Sequence, residues 1–248
     1  MGDPDITPKV ARVFTVVGFA GSLRRGSYNR ALLRAATELA PPALAIVVHE
    51  LDGIPLYNGD IEASGDPQSV IQLRDAIREA DGLLIATPEY NYGVPGVLKN
   101  TIDWLSRPSR DSALNGKVAA VMGASPGMTG PARGQSQLRQ AFVLTNTYAL
   151  LQPEILVGHA HEKFEADGRL VHQATRDFLA TFLQPFLDPI AFRVVADHAL
   201  EFVQASTWST SPRAHRCCGE QTSIGGQNAS GHHLACIPER RSGSWDRR

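Results

Sequence analysis

From Arg12 to about Leu187 the chain alternates short apolar runs with amphipathic stretches of helical length. The apolar runs fall at 13–18, 44–51, 82–87, 118–123 and 154–157, and are rich in Val, Ile and Leu. Runs that are apolar throughout, rather than at every second position, predict strands buried on both faces. Helices are predicted between and after them at 28–40, 67–80, 97–106, 131–147 and 172–186. Five such units predict an α/β domain with a three-layer, doubly wound, five-stranded parallel sheet in the order 2-1-3-4-5. In that architecture a ligand sits beyond the carboxyl ends of the strands, near the switch point. The informative loops are therefore those following positions 18, 87 and 123.

The pattern divides the chain into an extension at 1–11, the domain at 12–188, a further helix at 189–203 and a tail at 204–248. The tail holds only Trp208, Ile224, Leu234, Ile237 and Trp245 as large apolar residues. Ordering costs about 1–2 kcal/mol of backbone entropy per residue, so the tail is expected to be disordered. Its charge is +3 against −4 for the remainder, giving −1 overall from 24 Lys+Arg and 25 Asp+Glu. No dense basic run appears, which argues against a nucleic-acid partner. No stretch approaches the roughly 20 consecutive apolar residues of a spanning helix, and no membrane association is expected. Residues 1–9 carry Asp3 and Asp5 without a basic leader pattern, and the three cysteines (Cys217, Cys218, Cys236) all lie in the tail. A cytoplasmic protein is expected.

The first loop reads Gly18-Phe-Ala-Gly-Ser-Leu-Arg-Arg-Gly-Ser-Tyr-Asn-Arg30 and leads directly into a helix. A strand passing through a Gly- and Ser-rich turn into a helix N-terminus forms an anion site, because first-turn N–H groups and the helix dipole converge there. Ser22, Ser27 and Asn29 can donate to phosphate oxygens, and Arg24 or Arg25 can neutralise them. Ser27 also fits the N-cap position. The loop matches neither G-x-G-x-x-G nor the nucleotide-triphosphate loop, and its hydroxyl and amide donors suit a single terminal phosphate. An ordinary Ser-capped loop with surface arginines would share the composition.

The second loop, Thr87-Pro-Glu-Tyr-Asn-Tyr-Gly-Val-Pro-Gly96, combines two prolines, two glycines and two tyrosines. Pro88 and Pro95 fix φ, and tyrosines at a sheet edge can lie against a flat ring with their hydroxyls wet. Leu98, Ile102 and Trp104 in the helix that follows are expected in the core or at a subunit contact.

These two loops resemble the NADPH-dependent FMN reductase family. Gly-Ser-Leu-Arg-Arg-Gly-Ser-Tyr-Asn (21–29) is similar to its FMN phosphate loop. Pro-Glu-Tyr-Asn-Tyr-Gly-Val-Pro-Gly-Val-Leu-Lys-Asn-Thr-Ile-Asp-Trp (88–104) is similar to the flavin-ring loop of its quinone and chromate reductase branch, and Asp-Gly-Ile-Pro-Leu-Tyr-Asn (52–58) fits the same pattern. The resemblance spans about 13–187. It implies a flavodoxin-like fold, tightly but non-covalently bound FMN, NADPH or NADH as co-substrate, and a homodimer or homotetramer. Ser22, Arg24, Ser27, Tyr28 and Asn29 would then lie at the phosphate, and Pro88, Glu89, Tyr90 and Asn91 would line the isoalloxazine, largely through backbone.

The third loop, Gly123-Ala-Ser-Pro-Gly127, matches the G-x-S-x-G of hydrolases. In that motif the residue after the serine supplies an oxyanion N–H, and here it is Pro126, which has none. His159, His161 and His172 follow as candidate bases but read as surface histidines. The family resemblance makes this loop a flexible wall beside the flavin, with Ser125 and Gly127 near its pyrimidine edge. No metal is expected: the tail pairs Cys217-Cys218 and His232-His233 lack zinc-ligand spacing. Asn228-Ala-Ser230 is a glycosylation sequon, without bearing on a cytoplasmic protein. The sequence thus points to an oxidoreductase carrying electrons from NAD(P)H through FMN to a small acceptor: a quinone, flavin, chromate or azo or nitro compound. A non-enzymatic flavodoxin-like carrier is the alternative; near-neutral charge and a Ser/Arg/Asn loop argue against it.

Overall fold

The computed structural model describes residues 12–208; the expected extension at 1–11 and nearly all of the expected tail lie outside them. Six parallel strands form one sheet: β1 (Phe14–Ala20), β2 (Leu44–His49), β3 (Gly82–Ala86), β4 (Val118–Ala124), β5 (Tyr148–Ala149) and β6 (Ile155–Val157). Their order is β2-β1-β3-β4-β5, with β6 also on β4. This is the flavodoxin-like order expected, with one difference. The fifth position is shared: β5 pairs with the start of β4 at Val118 and Ala119, and β6 with its end at Met122–Ala124. Pro153 between them has no N–H to give to a ladder, so the edge strand is broken there.

The helices are α1 (Tyr28–Leu39), α2 (Gly59–Ser64), α3 (Gln68–Glu79), α4 (Gly96–Leu105), α5 (Ala132–Thr145) and α6 (Gln173–Trp208). The short α2 is absent from the apolar pattern because none of its side chains is buried. Successive strand residues point to opposite faces and build two cores. Val16, Leu84 and Ala120 meet Leu32 and Leu33 of α1 and Phe182, Leu183 and Phe186 of α6. Val17, Leu83 and Val121 meet Leu73 and Ile77 of α3, Ile102 of α4 and Phe142 of α5.

Where two helices were expected, at 172–186 and 189–203, α6 runs without a break through Pro185 and Pro189. Each proline removes one backbone hydrogen bond; burial of Leu179, Phe182, Leu183, Phe186 and Ile190 holds this stretch on the sheet. Residues Gln173–Ala196 have the length and mean hydropathy, 1.3, of a bilayer-crossing helix. Only part of that apolarity faces the sheet: Leu179, Phe182, Leu183, Phe186 and Ile190 are buried, while Phe178, Phe192 and Val195 are exposed.

Candidate functional site

The first loop links β1 to α1. Ser27 caps α1: its Oγ accepts from the N–H groups of Asn29 (3.2 Å) and Arg30 (3.3 Å), which leaves the hydroxyl hydrogen free to donate outward. The N–H groups of Ser22, Leu23, Arg24, Arg25 and Gly26 bond to no acceptor among the described residues. Five consecutive free donors at a helix N-terminus form an anion-binding concavity. The Arg24 guanidinium folds back on the loop, donating to the Gly26 carbonyl at 2.8 Å and lying 5.9 Å from the Tyr28 ring centre.

Asn29 departs from its expected role. It is 2% exposed, and its carboxamide is committed to the end of β4: Nδ2 donates to the Ala124 carbonyl and Oδ1 accepts from the Ala124 N–H, both at 2.9 Å. It fastens the first loop to the third instead of facing a phosphate.

The second loop closes in a tight turn. Tyr90 and Gly93 exchange backbone hydrogen bonds of 3.1 and 3.0 Å, with Asn91 (φ 51°) and Tyr92 (φ 62°) between them. Positive φ at both central residues is the type I′ geometry. Asparagine adopts it readily, but tyrosine there costs about 1–3 kcal/mol. Helix α5 holds the turn in place: Gln137 Oε1 accepts from the Val94 N–H at 2.6 Å, and the Arg133 guanidinium lies 4.2 Å from the Tyr92 ring centre. Tyr90 reaches the first loop, its hydroxyl 3.3 Å from that of Ser22. Pro88 continues β3 outward, its carbonyl accepting from the Thr87 hydroxyl at 2.8 Å.

The Glu89 carboxylate is bonded within the protein. Its Oε2 accepts from the N–H groups of Arg133 (2.8 Å) and Gly134 (3.0 Å). Pro131, at the N-cap position of α5, offers no side-chain cap, so Glu89 supplies one from another loop. Its carboxylate is structural; its N–H, like those of Asn91 and Tyr92, is unpaired.

The third loop is pressed against the second. A Cβ on Gly123 would sit 2.2 Å from the Thr87 carbonyl oxygen, so only glycine fits there. Ser125 Oγ accepts from the Gly127 N–H at 3.2 Å and bonds to no histidine, which disposes of the hydrolase reading. The N–H groups of Met128 and Thr129 are unpaired. Between the second and third loops lies a hollow of about 390 Å³ bounded by Asn91, Tyr92, Ser125, Gly127 and Met128. Another, about 380 Å³, lies by Arg25, Tyr28 and Arg34 at the α1 end.

The segment before α2 docks on α4. Asn100 accepts from the Tyr57 N–H and donates to the Pro55 carbonyl, both at 2.7 Å, and Trp104 Nε1 donates to the same carbonyl at 2.8 Å. Leu98, Ile102, Trp104 and Leu105 are buried within the chain, the core placement of the two expected for this helix, and Val97 is half-buried. The Tyr57 hydroxyl donates to Glu62 at 2.8 Å, and that bond, with partial desolvation, holds its pKa above the usual tyrosine value.

A family model of the NADPH-dependent FMN reductases matches residues 14–162, from β1 through all three loops. The chain belongs to that family. Family membership makes it an FMN- and NAD(P)H-dependent oxidoreductase and sets aside the carrier alternative. Over 169 residues it is 48% identical to an NAD(P)H-dependent FMN reductase of Pseudomonas aeruginosa, covering 68% of this chain and 91% of that one. It is 44% identical over 177 residues to a quinone reductase of Pseudomonas putida, covering 71% and 95%. Among solved structures, the flavoenzyme NAD(P)H:(acceptor) oxidoreductase FerB of Paracoccus denitrificans aligns with a TM-score of 0.67 at 37% identity, covering 73% of this chain and 99% of that one. The carboxyl edge of the sheet in this chain presents hydroxyls and unpaired N–H groups on three loops, suited to a phosphate and to the carbonyl oxygens of a flavin ring.

Proposed function

We propose that this chain is a quinone-reducing member of the family, with FMN lying across the carboxyl ends of β1, β3 and β4. The run of five N–H groups at 22–26, bonded to no acceptor among the described residues, is the observation that carries this reading. Those groups, the Ser22 and Ser27 hydroxyls and Arg24 hold the phosphate, with Tyr28 flanking it. Pro88, Tyr90 and Asn91 border the ring, and the N–H groups of Glu89 and Asn91 donate to its polar edge. Ser125 and Gly127 shape the opposite wall. Asn29 and the Glu89 carboxylate are positioning groups that lock these loops together.

When bound, FMN supplies two-electron chemistry, accepting hydride from NAD(P)H and delivering it to the acceptor. The chain's part is to hold donors where negative charge collects and to leave one ring face open. One open face admits nicotinamide or acceptor in turn. A quinone is the acceptor favoured, since relatives at 40–44% identity carry that activity in their names. Val143 and Leu151 line one shallow hollow and Leu144 stands at the adjoining end of α5; 83%, 65% and 91% exposed, these apolar side chains suit a contact with a second copy. Cytoplasmic residence is part of this proposal; a domain with no cysteine before position 217 needs no oxidising compartment.

The test is direct. Purified protein should show the two-band visible spectrum of a flavin and oxidise NADPH or NADH with a benzoquinone, giving parallel double-reciprocal lines. A colourless protein that takes up no FMN would overturn the cofactor assignment. Intersecting lines would overturn the shared face.

A further inference from the structure

Beyond the three loops, the segment between β6 and α6 carries a side-chain cluster, one member of which, His161, also lines the hollow by Arg25 and Tyr28. A Cβ on Gly158 would lie 2.2 Å from the Met128 carbonyl oxygen, so the chain there is pressed against the third loop. The His159 N–H donates to the Gly127 carbonyl at 3.1 Å, and the Ala160 N–H to the Ser125 carbonyl at 3.0 Å. Pinned in this way, His159 takes a left-handed conformation (φ 48°, ψ 44°) directly before a 3₁₀ turn at Ala160–Glu162. The reversal brings the imidazoles of His159 and His161 to a centre-to-centre distance of 6.2 Å, with His161 Nε2 3.5 Å from the Glu162 carboxylate. One ligand atom from each of the three residues lies within 4.8 Å of the other two, and all three are exposed.

We infer that His159, His161 and Glu162 form a binding site for a divalent transition metal of the zinc class. Imidazole nitrogen and carboxylate oxygen are the donors that Zn²⁺, Ni²⁺ and Cu²⁺ share. Two histidines and one glutamate make a three-ligand set that leaves a position open to water. Metal–ligand bonds of about 2.0–2.2 Å in a tetrahedron set neighbouring ligand atoms roughly 3.3–3.5 Å apart. Exposed side chains on a fixed backbone close the remaining ångström or so by rotation alone. The costly part, a histidine in left-handed conformation, is already built into the fold. Because His159 and Ala160 bond to the Gly127 and Ser125 carbonyls, an ion bound here stiffens the third loop as well.

The experiment is zinc titration of the full chain by calorimetry after removal of metal by chelation. The cysteines and histidines after position 208 are common to every protein compared, so the difference between wild type and variant reports on this cluster. His161→Ala should lose one equivalent of Zn²⁺. The double variant His159→Asn/His161→Gln, in which asparagine tolerates the left-handed backbone, should lose the same equivalent and decides the matter if the alanine variant folds poorly. Glu162→Gln should keep the equivalent with affinity weakened at least tenfold. His172→Ala, at a histidine outside the cluster, should change nothing. Equal stoichiometry and affinity in wild type and double variant would overturn the site.

Discussion

Asn29 and Ala124 stand 95 residues apart in the chain and exchange two hydrogen bonds of 2.9 Å. The carboxamide takes the place of β3, which ends at Ala86 opposite Met122 and so offers Ala124 no partner, while β6 pairs with β4 on its other side. One side chain thereby ties the first loop to the start of the third. Asn29→Ala leaves a buried N–H and a buried carbonyl unpaired, at about 1–3 kcal/mol each. At roughly 2–4 °C per kcal/mol for a domain of this size, the melting temperature should fall by about 5–15 °C. Calorimetry that finds a fall below 2 °C would mean that the two loops are held by other contacts.

Arg24→Ala should weaken FMN binding by about 1.5–3 kcal/mol, the range for a hydrogen bond to a charged group. Quenching of flavin fluorescence on titration into apoprotein measures it. The present contact, to the Gly26 carbonyl, must be exchanged for a phosphate oxygen, which favours the lower half of the range. Unchanged affinity would transfer the role to Arg25.

Glu89 caps α5 from another loop, so its removal should be felt in stability before activity. Glu89→Ala should cost about 0.5–2 kcal/mol in urea unfolding, the scale of a lost N-cap. Glu89→Gln keeps an acceptor oxygen and loses only the charge opposite the helix dipole, about 0.3–1 kcal/mol. An alanine variant as stable as wild type would contradict the capping role.

Tyr57 should titrate above its ordinary value of about 10, because the neutral phenol donates to Glu62. The fold favours the protonated form, so this contribution to stability is complete below pH about 10 and is lost as pH rises through the folded midpoint. The difference between wild type and Tyr57→Phe in absorbance near 295 nm isolates this tyrosine from the other four. Glu62→Gln should bring the midpoint down; an unmoved midpoint would show that the hydrogen bond is not its cause.

Leu144, 91% exposed at the end of α5, should lie in the contact between subunits. Leu144→Asp places a charge in that patch and should yield a monomer in light scattering, with the circular dichroism unchanged. A wild-type monomer at micromolar concentration would remove the assembly from the proposal.

The apolar runs determined the sheet, its parallel sense and its order, because strands buried on both faces leave a periodicity that few topologies satisfy. They determined as well which three loops matter, since the carboxyl edge follows from the order alone. The donor-rich loop at 21–29 was readable because hydroxyls and free N–H groups at a helix start are a local property. What the sequence could not reveal is which polar groups are consumed within the protein. Asn29 and Glu89 read as ligand-facing residues, and each is committed to backbone donors or acceptors that arrive from a distant segment. Asn100, which ties the turn at 55–57 to α4, carries no local mark of that task. Helical spacing left Leu98, Ile102 and Trp104 either in the core or at a subunit contact, and it is packing within the chain, with the segment before α2 bonded to Asn100 and Trp104, that buries them. Local composition fixes what a side chain can bond; only tertiary packing decides which partner comes within 3 Å of it, and so which donors remain free for a ligand.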